Sequence, residues 1–182
     1  MQLQNDRTPT SEPNVFFVKG DLLTHPCDLI VHQTNCLTTT PHGLATEIFK
    51  LYPAADLYST RRSIDNRNLA VEEDRGIPGT CVIVGRVAAI FGQWRPGKCG
   101  SRYHGNYPEH PSIETTQRRV VWFKQGLQDL EEQLRRLPIK TIGFPYKIGC
   151  GLAGGDWMVY LALVADFARR NPKLTVDIVV KS

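Results

Sequence analysis

The chain has 182 residues, 41% of them hydrophobic and 22% charged, with a formal net charge of +4 and a pI of about 8.9. These values fit one globular domain with an ample core and exclude disordered, fibrous and disulfide-scaffold classes. The mild basic balance suits a phosphate-bearing ligand. It is too weak to mark a sequence-specific nucleic-acid binder, and no apolar run reaches membrane-spanning length.

Residues 1–13 are polar, with Pro9 and Pro13 and no periodicity, and are expected to be a flexible tail ahead of one domain at 14–182. Val15–Val18 reads as a first strand ending at Lys19-Gly20-Asp21. Leu29–Val31 is a second, buried strand, with His32-Gln33-Thr34-Asn35-Cys36 directly after it. Polar residues there line the ligand crevice in open α/β sheets. Leu37–Gly43 is a loop, and Gly43-Leu44-Ala45 opens a helical pattern through Tyr52 that resumes after Pro53. Residues 60–79 read as a long surface loop whose arginines Arg61, Arg62, Arg67 and Arg75 form a solvated face.

Thr80–Val84 and Val87–Phe91 predict two strands joined at Gly85-Arg86. A loop from Gly92 to Pro111 follows, with aromatic and basic residues able to cover a nucleotide. Ile113–Leu137 predicts an amphipathic helix with Val120, Val121, Phe123, Leu127, Leu130 and Leu134 on one stripe. Ile139–Phe144 is a buried strand. The next loop carries Gly149, Gly151, Gly154 and Gly155, and a helix starts after Asp156. Leu174–Val180 closes the chain as a strand.

Strands alternating with helices predict a mostly parallel mixed sheet with helices on both faces. Two glycine-to-helix junctions, at Gly43 and at Gly149–Gly155, follow strands and open on the same sheet edge. Each offers unpaired amides and a helix N-terminus to an anion. Two such loops suit a ligand with two phosphates, such as a dinucleotide or an ADP-sugar. The plainer reading of the second loop is a tight αβ connection.

Five cysteines, Cys27, Cys36, Cys81, Cys99 and Cys150, form no close pair. With no secretory leader, they argue for reduced thiols in cytoplasm or nucleus. No Cys/His set has zinc-ligand spacing, so neither metal nor cofactor is expected.

From Val15 to Val180 the chain resembles a macro domain, the ADP-ribose-binding fold. Four pieces carry the resemblance: Gly20-Asp21-Leu22-Leu23; Val31–Cys36 with Gly43-Leu44-Ala45; Phe91-Gly92-Gln93; and the thirteen residues Pro145–Trp157, PYKIGCGLAGGDW. The last is very close to a string in macro domains that process ADP-ribose 1″-phosphate. The resemblance implies a three-layer α/β/α sandwich with a mixed, mostly parallel sheet of six or seven strands. It also implies a ligand, ADP-ribose or an ADP-ribosylated macromolecule; a monomer with no membrane partner is expected.

The same resemblance implies residue roles. Asp21 would accept from the adenine amino group beside the Leu22 amide. Asn35 would hold the distal ribose. Gly43, Leu44 and Ala45 would form one phosphate loop, and Gly149, Cys150, Gly151, Leu152, Ala153 and Gly154 the other. Each has a structural alternative: a turn for Asp21, an Asx turn for Asn35. Two departures stand out. Thr38-Thr39-Thr40-Pro41-His42 replaces the usual glycine run before the first phosphate loop. The lysine and aspartate pair of some hydrolytic relatives has no clear equivalent, Lys98 being the nearest candidate.

For hydrolysis next to the anomeric carbon, the candidates are Asn35, His42 and Asp156. His42 could orient water or protonate a leaving phosphate. Asp156 could act as a base, or simply cap the last helix. His32 is expected to support Asn35, and Cys150 to be a small buried thiol. The functional expectation is an ADP-ribose-processing hydrolase, with a non-catalytic reader as the alternative.

Overall fold

A computed structural model describes residues 7–182. Seven strands form one sheet in the order β1-β2-β7-β6-β3-β5-β4. The central five, β2 (Val15–Gly20), β7 (Thr175–Lys181), β6 (Thr141–Pro145), β3 (Leu29–Asn35) and β5 (Val87–Gln93), run parallel. The edge strands β1 (Arg7–Pro9) and β4 (Cys81–Val84) are antiparallel to their neighbours.

Alternation along the strands sends side chains to two helical layers. Leu29 and Val31 face the layer of α2 (Thr116–Leu134) and α3 (Trp157–Arg170), packing with Phe123, Leu127, Tyr160 and Val164. Ile30 faces α1 (Leu44–Leu51) and packs with Ala45, Ile48 and Phe49. The result is the expected α/β/α sandwich with a mixed, mostly parallel sheet.

Four expectations need correction. Residues 7–9 are not a tail: Arg7–Pro9 pairs with Val18–Phe16. Arg7 donates Nε and Nη2 to the buried Asp177 carboxylate at 3.0 and 2.9 Å. His25 Nε2 lies 2.7 Å from the same group. Burial pushes the Asp177 carboxyl up, but these contacts outweigh it and hold the group below its ordinary value. Residues 1–6 lie outside the described residues. Second, β3 does not stop at Val31 but runs to Asn35, so His32 lies within the strand.

Third, the long helix starts at Thr116, where the Thr115 hydroxyl accepts from the Arg118 amide at 3.0 Å. Ile113, at φ +51°, breaks the pattern before it. Val121 is exposed, and Trp122 and Arg119 are buried on that helix instead. Fourth, Arg61 is not on a solvated face but buried.

Candidate functional site

The C-terminal ends of β3, β5 and β6 open on a cleft of about 740 Å³. This is where parallel strands leave a crevice for ligands. Both glycine junctions border it. At the first, Gly43 precedes α1 with no side-chain cap. The amides of Gly43, Leu44 and Ala45 donate to no protein acceptor among the described residues.

The second loop folds on itself. Cys150 N donates to Lys147 O at 2.9 Å, Gly154 N to Gly151 O at 3.1 Å and Gly155 N to Gly149 O at 3.0 Å. That leaves the amides of Gly149, Gly151, Leu152 and Ala153 unpaired among the described residues. Gly149 has to be glycine: its φ is +72°, and a Cβ there would lie 2.4 Å from the Tyr160 ring. Leu152 Cδ1 stands 3.2 Å from where a Cβ on Gly43 would be, so the two loops meet.

The segment Leu37–His42 is tied down from outside. Asn68 Oδ1 accepts from Thr39 N at 2.9 Å and Thr40 N at 2.8 Å. Arg61 donates to Thr38 O at 2.7 Å and Asn35 O at 3.2 Å, with its guanidinium 4.8 Å from the Tyr58 ring centre. Burial pulls the Arg61 pKa down, with Tyr58 and Cys36 opposing. Asn68 is not prominent in the sequence, and Arg61 stands out there only as one arginine of a cluster read as solvated. The only available signal was their place in a long loop, which favours function over connection.

Asn35 lines the cleft, but its side chain is engaged in a turn. Oδ1 accepts from Leu37 N at 3.0 Å and Thr38 N at 2.8 Å, while Nδ2 donates to Thr38 Oγ1 at 2.9 Å. The Asx turn is therefore the role the structure displays. His42 is exposed on the cleft lining. Asp156 is not on the lining; its Oδ1 caps α3 by accepting from Met158 N at 2.9 Å.

Asp21 is exposed, closes a turn by accepting from Leu23 N at 2.9 Å, and does not line the cleft. Leu22 is buried in the α1 layer. Of the second loop, Gly149, Gly151, Leu152 and Ala153 line the cleft, whereas Cys150 and Gly154 do not. The Cys150 Sγ donates to Ile148 O at 3.2 Å. Burial first, then the Asp156 charge, pushes its thiol up to about 11, so it stays protonated.

His32 does not support Asn35. It is fully buried, 5.4 Å from the Phe49 ring, and neither ring nitrogen has a partner among the described residues. Burial drives its pKa down to about 4. Lys98 is exposed, and its stem lies 2.7 Å from where a Cβ on Gly154 would be, directly against the second loop.

The far wall comes from the segment between β5 and α2, which contributes Tyr103, Asn106 and Tyr107. A buried ionic knot holds it. Glu114 accepts from Trp94 N at 2.8 Å, Arg95 Nε at 3.1 Å and Arg119 Nε at 2.8 Å. Burial pushes the Glu114 carboxyl up; the Arg119 charge and these hydrogen bonds together bring it below the ordinary value. Arg119 also donates to Gly97 O at 2.7 Å and Ala153 O at 3.1 Å.

No group of three or more His, Cys, Asp or Glu able to hold a metal exists among the described residues. No helix among them is long and apolar enough to cross a membrane. The cleft thus offers two banks of backbone donors, aromatic walls and, among the described residues, no lining carboxylate.

The macrodomain of Mycobacterium tuberculosis DarG superposes with a TM-score of 0.64 over 91% of this chain and 96% of that one, at 17% identity. The fold is that of a macrodomain. A Trypanosoma brucei macrodomain in complex with ADP matches with a TM-score of 0.55 at 13% identity, over 92% of this chain and 63% of that one. In sequence, a DNA ADP-ribosyl glycohydrolase of Thermus aquaticus is 28% identical over 147 residues, 78% of this chain. The match spans 34% of that relative's length. No family model matches the chain. As in the sequence-based expectation, the glycine loops sit at the parallel strand ends.

Proposed function

We propose that the cleft binds ADP-ribose and that the protein hydrolyses an ADP-ribose conjugate, with ADP-ribosylated DNA the favoured substrate. The convergence of two banks of unpaired amides, Gly43–Ala45 on one side and Gly149, Gly151, Leu152 and Ala153 on the other, carries this reading. Between them a diphosphate gains backbone hydrogen bonds without a competing carboxylate. The solved macrodomain with ADP supports the ligand class. The Thermus glycohydrolase, named for a DNA ADP-ribosyl substrate, supports the reaction and the leaving group. An ADP-ribose 1″-phosphate or a modified protein are the other conjugates of the same chemistry.

In this reading the adenine end reaches past the cleft lining to Asp21, which is exposed outside it and whose Oδ2 accepts no hydrogen bond among the described residues, and to the Leu22 amide. The distal ribose lies beside His42, Gly43 and the aromatic wall. Water attacks at the anomeric carbon, the bond to the base or acyl oxygen breaks, and the leaving atom keeps its electron pair. His42 takes the proton of the water, and Lys98 at the second loop offsets negative charge. Asp156, committed to its cap, has no part in the chemistry.

The absence of a carboxylate on the described lining favours a second reading, a reader that binds without turnover. The protein is incubated with an ADP-ribosylated DNA oligonucleotide and with ADP-ribose 1″-phosphate, and release of ADP-ribose or phosphate is followed. Turnover that falls at least about tenfold in His42→Ala with unchanged affinity supports the hydrolase. Binding without any product leaves the reader.

A further inference from the structure

We propose that Tyr58 is a ligand-contacting residue whose phenol donates a hydrogen bond to a hydroxyl or ring oxygen of the distal ribose. The inference rests on the ADP-ribose reading above and adds a residue to it. Tyr58 lines the cleft and is 3% exposed. Its oxygen accepts from Asn35 N at 2.9 Å and from Asn35 Nδ2 at 3.3 Å. Both acceptor directions of the phenol are thereby filled. Its proton has no acceptor among the described residues.

A buried O–H left without an acceptor is costly, so a partner is expected from outside the protein. The ring is fixed by Phe49, 5.6 Å away edge to face, and by the Arg61 guanidinium at 4.8 Å. The phenol is therefore a rigid donor and not a mobile side chain. Burial also pushes its pKa up to about 12, which keeps the proton in place at neutral pH.

Asn35 adds the complementary half of the argument. Its Nδ2 donates to Thr38 Oγ1 and to the Tyr58 oxygen, so it presents no free donor to the ribose. The unspent donor next to it belongs to Tyr58. Because the hydroxyl is bonded to Asn35, whose turn opens the segment that ends at His42 and Gly43, it is assigned to the sugar beyond the diphosphate. The diphosphate itself is served by the amides.

The test compares two ligands on the intact chain: ADP-ribose, and ADP, which has the same adenosine diphosphate and no distal ribose. Tyr58→Phe is expected to weaken ADP-ribose about tenfold and ADP less than about twofold, since one neutral hydrogen bond is lost from one ligand only. Equal weakening of both ligands would mean that Tyr58 acts only by holding the Asn35 turn, and would overturn the proposal. So would unchanged affinity for both. Should Tyr58→Phe fold poorly, 3,5-difluorotyrosine at position 58 keeps ring and hydroxyl and ionises nearer neutrality. ADP-ribose affinity then falls as pH rises while ADP affinity stays level; parallel curves would overturn the proposal. Wild-type protein that binds neither ligand would overturn the assignment of the cleft itself.

Discussion

Arg119, a buried side chain of the long helix, donates its Nη1 to the carbonyl of Ala153 at 3.1 Å. The same nitrogen reaches Gly97 O at 2.7 Å, and Nε reaches Glu114 at 2.8 Å. One guanidinium thus ties the helical layer to both the second glycine loop and the far wall of the cleft.

Arg119→Met is expected to weaken ADP-ribose binding about tenfold, through loss of hydrogen bonds that hold the Ala153 loop. Glu114→Ala leaves Arg119 buried beside no carboxylate, and is expected to lower stability by on the order of 3 kcal/mol. Calorimetry reads the first and denaturant unfolding the second. Unchanged affinity in Arg119→Met would show that the loop holds its shape alone.

His32 makes stability depend on pH. It is neutral in the fold, with a pKa of about 4 against an ordinary value of 6.5. Between those values the unfolded chain binds a proton that the folded chain does not, so stability falls as pH drops from 6.5 toward 4. The loss across that window is on the order of 3 kcal/mol. His32→Phe is expected to flatten the melting temperature over the same range. An equally steep profile in the variant would assign the acid sensitivity to other groups.

Gly126 inverts the usual helix rule. Alanine normally stabilises a helix interior relative to glycine. Here a Cβ would lie 2.3 Å from Ile90 Cγ2, on the sheet that the helix covers. Gly126→Ala is expected to destabilise by about 1–3 kcal/mol through overpacking, read by urea unfolding.

Ile113 goes the other way. It holds φ at +51° and is 60% exposed, so it carries left-handed strain with little burial in return. Ile113→Gly is expected to raise stability by about 1 kcal/mol. A lower melting temperature would mean that the side chain supports the turn leading to Glu114.

The fold was legible because the strands from β2 onward carry short apolar runs and each helix a clear apolar face. The second glycine loop was legible too, since Gly149 sits where only glycine fits against Tyr160. The start of the long helix was harder to read: Ile113 looks like part of the apolar stripe, and only its backbone angle shows otherwise. Residues 7–9 were read as tail because the short strand has no pattern of its own; its reason is the distant Asp177. Asn35 and Asp156 were visible as polar residues at promising places. Whether their oxygens serve the backbone or a ligand depends on neighbours two or three residues away, as with Met158 and Thr38. Tyr58, Asn68 and Arg119 gain their roles from contacts 20 or more residues away in sequence, as in Asn35 with Tyr58 and Arg119 with Ala153, and no local spacing encodes them.

The most direct measurement is calorimetric titration of the wild-type protein with ADP-ribose, beside Gly149→Val as a control whose second loop cannot close. The account predicts saturable one-to-one binding by the wild type and its loss in the variant, with the far-ultraviolet spectrum of both folded. A folded wild type that takes up no ADP-ribose, or a variant that binds it equally well, would contradict the assignment of the two glycine loops to the diphosphate.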